Sequence, residues 1–198
     1  MRTFPFPIHA LFPVLITFIT ACSSGDTGTK DAQATDADNS ATLAAVEMTK
    51  RIKVMEDTLF AKDYFDMKGA RALLDVYKAF VATYPLDSIS PEYLDRSANV
   101  YRGLGDPEAA LRTYDRIIKD YPGWRKIPDM YYLKAFVIHN DLGQRGEAEK
   151  AYKEVISRFP DHHYAQDARA AIENLKYSDE ELIRMWEEKN KGQEGSGV

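Results

Sequence analysis

Three aromatic–proline pairs, Tyr84-Pro85, Tyr121-Pro122 and Phe159-Pro160, recur at nearly constant spacing, their prolines stepping by 37 and 38 residues. A residue that precedes proline is pushed out of the α region, so each pair marks the end of a helix. Stretches 91–122 and 129–160 carry the same pattern in register. Each holds a first helix (A), a tight turn at Gly105-Asp106 or Gly143-Gln144, and a second helix (B) that ends in the aromatic–proline pair. Along helix A, Leu94, Ala98 and Tyr101 overlay Tyr132, Phe136 and His139, a stripe with i, i+4, i+7 spacing. Along helix B, Ala110, Tyr114 and Ile117 overlay Ala148, Tyr152 and Val155. The small residue lets two backbones approach, and the ring one turn later fills the space beyond. A hairpin of this kind cannot bury both faces alone, so copies must stack.

This register resembles the tetratricopeptide repeat (TPR), a helix–turn–helix unit of about 34 residues. The additional residues fall between hairpins, in 86–90 and 123–128, where they lengthen loops. Residues 43–85 read as a degenerate first copy. Leu73, Tyr77 and Phe80 stand where Ala110, Tyr114 and Ile117 stand in the next. An amphipathic helix over 43–62, striped by Leu43, Val46, Ile52, Met55, Leu59 and Phe60, takes the A position. Ser90 before Pro91 and Asp106 before Pro107 are expected N-caps. Residues 161–175 begin a fourth unit through Tyr164, Ala168, Ala171, Ile172 and Leu175. Ser178 and Glu181 fit a capping box that opens a last helix. Its Leu182, Ile183, Met185 and Trp186 are expected to cover the last repeat. The expected fold is all-α: by the resemblance, a TPR-like right-handed α-solenoid of about three to four helical hairpins with a C-terminal capping helix. It occupies 43–189, with a flexible tail over 190–198.

The single cysteine, Cys22, excludes an internal disulfide. Ahead of it, Arg2 and the mostly apolar run 8–21 read as an export signal over 1–21. Ile19-Thr20-Ala21-Cys22 resembles the lipobox of bacterial lipoproteins, in which the cysteine becomes the first residue of the mature chain. That resemblance implies a covalent lipid on Cys22, whose acyl chains, at about 0.8 kcal/mol per buried methylene, hold the chain to a membrane. Ser23, where an aspartate would favour inner-membrane retention, points to the outer membrane, facing the periplasm. Residues 22–42 read as the lipidated cysteine and a disordered tether, rich in Ser, Gly, Thr, Asp and Ala and without apolar periodicity, reaching about 25 Å on average.

A net charge of −5 argues against a nucleic-acid surface. His139-Asn140-Asp141 brings an imidazole near a carboxylate, but His139 sits at the packing position that Tyr101 fills in the previous copy. His162 and His163 are adjacent and diverge on any regular element, which suits a metal poorly. The chain has no Gly-rich phosphate loop and no nucleophile elbow. Enzymatic activity, a metal site and a cofactor other than the lipid are therefore not expected. The resemblance to TPR proteins implies instead a concave groove lined by A helices. By register its contact residues are Glu92, Asp95, Asn99 and Arg102, then Met130, Leu133, Val137 and Asn140. A polar patch beside an apolar one suits an extended peptide or a helix; the alternative is that Met130, Leu133 and Val137 pack against neighbouring helices. Trp124, beside Arg125 in the long loop, is the other candidate contact. Over 69–175 the chain is similar to envelope TPR lipoproteins of Gram-negative bacteria, such as the TPR subunit of the outer-membrane barrel-assembly machine and the Tol-Pal coordinator. This implies a membrane-anchored periplasmic scaffold for another envelope protein or peptide. The alternative is a ligand-binding or enzymatic lipoprotein with a site on the solenoid.

Overall fold

Proline and glycine set the helix boundaries in the computed structural model, which describes residues 29–194. The described regular structure is helical throughout: α1 (Thr29–Phe60), α2 (Met67–Thr83), α3 (Ser90–Gly103), α4 (Pro107–Asp120), α5 (Ile127–Asn140), α6 (Arg145–Arg158), α7 (His163–Asn174) and α8 (Asp179–Glu194). No strand occurs among the described residues. The export signal over 1–21, Cys22 and residues 195–198 lie outside them. The chain divides at Ala41/Thr42 into two units, and the helical stack belongs to the second.

The three aromatic residues before proline adopt one backbone conformation. Tyr84 has φ −125° and ψ 58°, Tyr121 −128° and 51°, and Phe159 −133° and 57°. In each, the backbone N–H still donates to the carbonyl four residues back. Inside the hairpins, Gly105 and Gly143 turn the chain at φ 76° and 66°, a region costly for residues with a Cβ. Asp106 caps α4 as expected, accepting from the Ala109 N–H at 2.9 Å. The capping box of α8 also forms: Glu181 N–H donates to Ser178 Oγ at 3.2 Å, and Ser178 N–H to a Glu181 carboxylate oxygen at 2.8 Å. Ser90 differs from expectation. It is buried inside the first turn of α3, with Ile89 at the cap, and its hydroxyl donates to the Tyr84 carbonyl at 2.6 Å. This tie pins the loop after the first hairpin.

The repeated B-helix positions are the core. Leu73, Ala110 and Ala148 are buried, as are Tyr77, Tyr114 and Tyr152 and then Phe80, Ile117 and Val155. Ala110 sits between α3 and α4, so Ala110→Leu should overpack that contact and lower stability by about 1–3 kcal/mol. Denaturant unfolding with unchanged m-value and a lower midpoint is the expected readout; an unshifted midpoint would show that α3 and α4 leave room for the larger side chain.

α1 packs along a stripe that keeps Ile52, Met55 and Leu59 of the one read from sequence and replaces the rest. Ala45, Ile52 and Leu59 are buried, with Met48 and Met55 against the same core, whereas Leu43, Val46 and Phe60 are exposed. The buried set repeats at three- and four-residue steps, and the small Ala45 and flexible Met48 gave little apolar signal. The helix also starts at Thr29, inside the stretch expected as a tether. After Gly28 that stretch has no Gly or Pro, and its Ala, Lys and Gln favour helix without any apolar face. At the other end, α8 continues to Glu194 and takes in part of the expected tail. Leu182 is half-buried, but Ile183 is 59% and Trp186 66% exposed, with Met185 also exposed, so these three do not cover the last repeat. Six acidic residues in this helix favour a solvated position over burial.

Candidate protein-binding face

α3 presents Glu92, Asp95, Asn99 and Arg102 at i, i+3, i+7, i+10 spacing, one side of a helix whose other side, Tyr93, Leu94, Ser97, Ala98 and Val100, is buried. All four predicted polar residues therefore share a face. Asn99 is exposed and donates from Nδ2 to the Asp95 carbonyl at 3.1 Å. Arg102 crosses to the next hairpin. Its Nε lies 2.5 Å and its second nitrogen 3.1 Å from the two oxygens of Asp141, a bidentate pair, and its guanidinium lies 5.1 Å from the Phe136 ring centroid.

A ladder of charges runs along this side of the stack. Tyr77 donates its hydroxyl to Glu56 at 2.5 Å, and Arg96 donates to the same carboxylate at 2.7 Å. Arg96 also lies 3.5 Å from Glu92, which accepts from Lys126 Nζ at 2.8 Å. Burial and the neighbouring Glu56 carboxylate push the Tyr77 hydroxyl far above its usual range. Burial works against an ionised Glu92, but Lys126 and Arg96 outweigh it and hold the carboxyl below its ordinary value.

Asp95 is the group left short of donors. Its Oδ2 is 4.0 Å from Lys126, and its Oδ1 is buried with no hydrogen-bond partner. Burial, reinforced by Glu92 and Asp129 and only partly offset by Lys126, raises its carboxyl to about 6. Behind it the fully buried Tyr114 hydroxyl also lacks a partner. Burial raises that hydroxyl, with Asp95, Arg102 and Asp141 as its charged neighbours. Farther along, Asp129 lies 3.8 Å from His162 Nε2, which links α5 to the cap of α7.

The apolar half of the predicted groove is a correction. Met130 and Val137 have 0% exposure, and Leu133 packs half-buried against the same cluster. α5 is apolar around most of its circumference, and such a helix is buried on more than one side. Met130 and Val137 join the core of the preceding hairpins, while Ala135 and Ile138 join that of α6 and α7. Asn140 stays exposed, donating to the Phe136 carbonyl at 3.0 Å. Trp124 is half-buried against the first cluster, with Lys126 Nζ 5.4 Å from its ring centroid, so it acts mainly in packing. His139 is half-buried, its ring edge-on to Tyr152 at 6.0 Å. Among the described residues no group of three His, Cys, Asp or Glu side chains is placed to hold a metal ion, and no helix is long and apolar enough to cross a membrane.

Sequence reasoning missed a cavity of about 370 Å³ between α1, α2 and α3, walled by Leu59, Phe60, Phe65 and Val100 and rimmed by the Glu56–Arg96 pair and Asn99. Phe60 is 68% and Phe65 52% exposed. The Phe65 ring rests on Gly103, where a Cβ would come 3.0 Å from it. A glycine at the end of α3 opposite an aromatic residue in a loop was the available sign.

Residues 92–123 and 128–162 match the tetratricopeptide repeat family. The chain carries two such repeats at the hairpins α3/α4 and α5/α6, and its fold is a TPR-like α-solenoid. It is similar to the outer membrane protein assembly factor BamD of Xylella fastidiosa strain Temecula1, 27% identical over 117 residues, covering 50% of this chain and 40% of that protein. The counterpart in strain 9a5c is 26% identical over the same length and shares. The chain thus spans well under half the length of these curated relatives. Among solved structures it is similar to the second TPR domain of human RPAP3, solved with an HSP70 peptide. That match has a TM-score of 0.47 and 13% identity, covering 70% of this chain and 99% of that one.

Proposed function

We propose that this chain is a membrane-anchored periplasmic scaffold that holds another envelope protein on its A-helix face and serves outer-membrane assembly. The observation that carries this reading is the α3 face. Glu92, Asp95, Asn99 and Arg102 share one side of the helix, all partly or fully accessible, while the opposite side is core. Tandem TPR hairpins are an interaction fold whose cargo is set by a few residues on such a face. The similarity to BamD, an outer membrane protein assembly factor by name, supports the same setting. The lipobox-like Ile19-Thr20-Ala21-Cys22 supports anchoring through a lipid on Cys22.

Two experiments test this. A photo-crosslinking amino acid at Asn99, in intact cells, should capture an outer-membrane assembly protein identified by mass spectrometry. The same probe at the exposed Lys153 on α6 should not. Identical products at both positions would overturn the assignment of the face. Metabolic labelling with a radiolabelled fatty acid should mark the chain and leave Cys22→Ser unmarked, and an unmarked parent chain would overturn the anchor.

A further inference from the structure

We infer that the cavity between α1, α2 and α3, together with the carboxylates beside it on α3 and α5, takes a peptide segment bearing one apolar side chain and a basic residue about two places away. This deepens the protein-binding reading above and rests on it. The cavity, about 370 Å³, has the volume of a small recognition pocket. Its mouth is flanked by two phenylalanines that remain largely in water, an arrangement single exposed residues on an ordinary surface do not give. On its polar rim Arg96 is paired with Glu56 and Asn99 donates to the Asp95 carbonyl, and the remaining walls, Leu59, Phe60, Phe65 and Val100, are apolar. Walls of that kind favour an apolar side chain.

The charge of the segment follows from the neighbouring face. Glu92 and Asp95 flank Lys126, Asp129 adds a third carboxylate near Asp95, and the cations facing them are Lys126, Arg96 at 3.5 Å from Glu92 and His162 at 3.8 Å from Asp129. Because Arg96 also serves Glu56, four carboxylates (Glu56, Glu92, Asp95 and Asp129) share Arg96 and Lys126, which leaves negative charge uncompensated. Asp95 Oδ1 and the Tyr114 hydroxyl are buried, so the carboxylates within reach of a ligand are Glu92 and Asp129. An incoming guanidinium or ammonium supplies the charge that this corner lacks. The spacing fixes the register. Asn99, on the cavity rim, is one helical turn from Asp95, about 6 Å along α3, a distance an extended chain covers in about two residues.

The test is fluorescence anisotropy with the purified full chain and labelled Gly/Ser peptides. One peptide carries Phe and, two places on, Arg; a second exchanges Arg for Glu; a third exchanges Phe for Ser. The first should bind, and each exchange should weaken binding about tenfold or more. On the protein side, Phe60→Ser alters an exposed side chain and should leave thermal unfolding unchanged while weakening the Phe/Arg peptide similarly. Equal affinity for the Arg and Glu peptides, or unchanged affinity in Phe60→Ser, overturns the inference. If no peptide binds while the Asn99 crosslink still forms, the chemistry assigned to the segment is wrong and the scaffold reading stands. If the crosslink fails as well, both fall.

Discussion

Val137→Asp should remove about 10 °C or more from the midpoint of thermal unfolding, or abolish a cooperative transition altogether. Val137 has no exposed surface and belongs to the apolar cluster that joins α5 to the first hairpins. An ionised carboxylate there has no partner, and its burial costs several kcal/mol even after relaxation. That is a large part of the about 5–15 kcal/mol by which a domain is stable. For a chain of this size each kcal/mol moves the midpoint by about 2–4 °C. Scanning calorimetry of Val137→Asp beside Asn140→Asp separates core from surface on the same helix, since Asn140 is exposed and its variant should unfold within about a degree or two of the parent. Equal, small shifts in both would mean that α5 does not bury this side.

Asp95→Asn should have the opposite sign. A carboxyl raised to about 6 in the folded chain binds its proton more tightly there than when unfolded, where it titrates near 4. Asp95 therefore leaves stability untouched below about pH 4 and subtracts from it progressively as pH rises through 4 to 6, after which the loss is constant. Asparagine keeps the shape and removes the charge. With solvent screening discounted, the variant should gain about 1–2 kcal/mol at pH 7 and nothing near pH 4. Glu92, held low by Lys126 and Arg96, acts in the other direction, its contribution present at neutral pH and lost on acidification. The informative quantity is thus the difference between Asp95→Asn and the parent in denaturant titrations across pH 4–7. A flat difference would show that Asp95 is solvated or paired. A residue that costs stability at neutral pH and also faces a candidate docking site is the usual form of a trade between stability and binding.

The repeat unit was legible because its signals are local and redundant. Tyr84, Tyr121 and Phe159 before proline, the turn glycines 105 and 143, and the Ala/Tyr/aliphatic series on helix B all depend on sterics within a few residues. The polar face of α3 was legible for the same reason: in SPEYLDRSANVYRG the apolar and polar residues segregate cleanly. α5 defeated the reading because IPDMYYLKAFVIHN is apolar in nearly every direction. Periodicity cannot say which side of such a helix meets which neighbour, so Met130 and Val137 looked like groove when they are core. α1 misled through weak residues, since Ala45 and Met48 carry less pattern than the exposed Leu43, Val46 and Phe60. The donor deficit at Asp95 arises from Lys126 and Asp129, more than thirty residues away in sequence, and the cavity from three helices meeting; no window along the chain contains either.

Because α5 contributes side chains to both hydrophobic clusters, the stack has no seam at its midpoint. A protease or a pulling force that frees α5 disorganises the hairpins on either side at once, so the two halves should melt as one transition, and neither should survive as a separately expressed fragment.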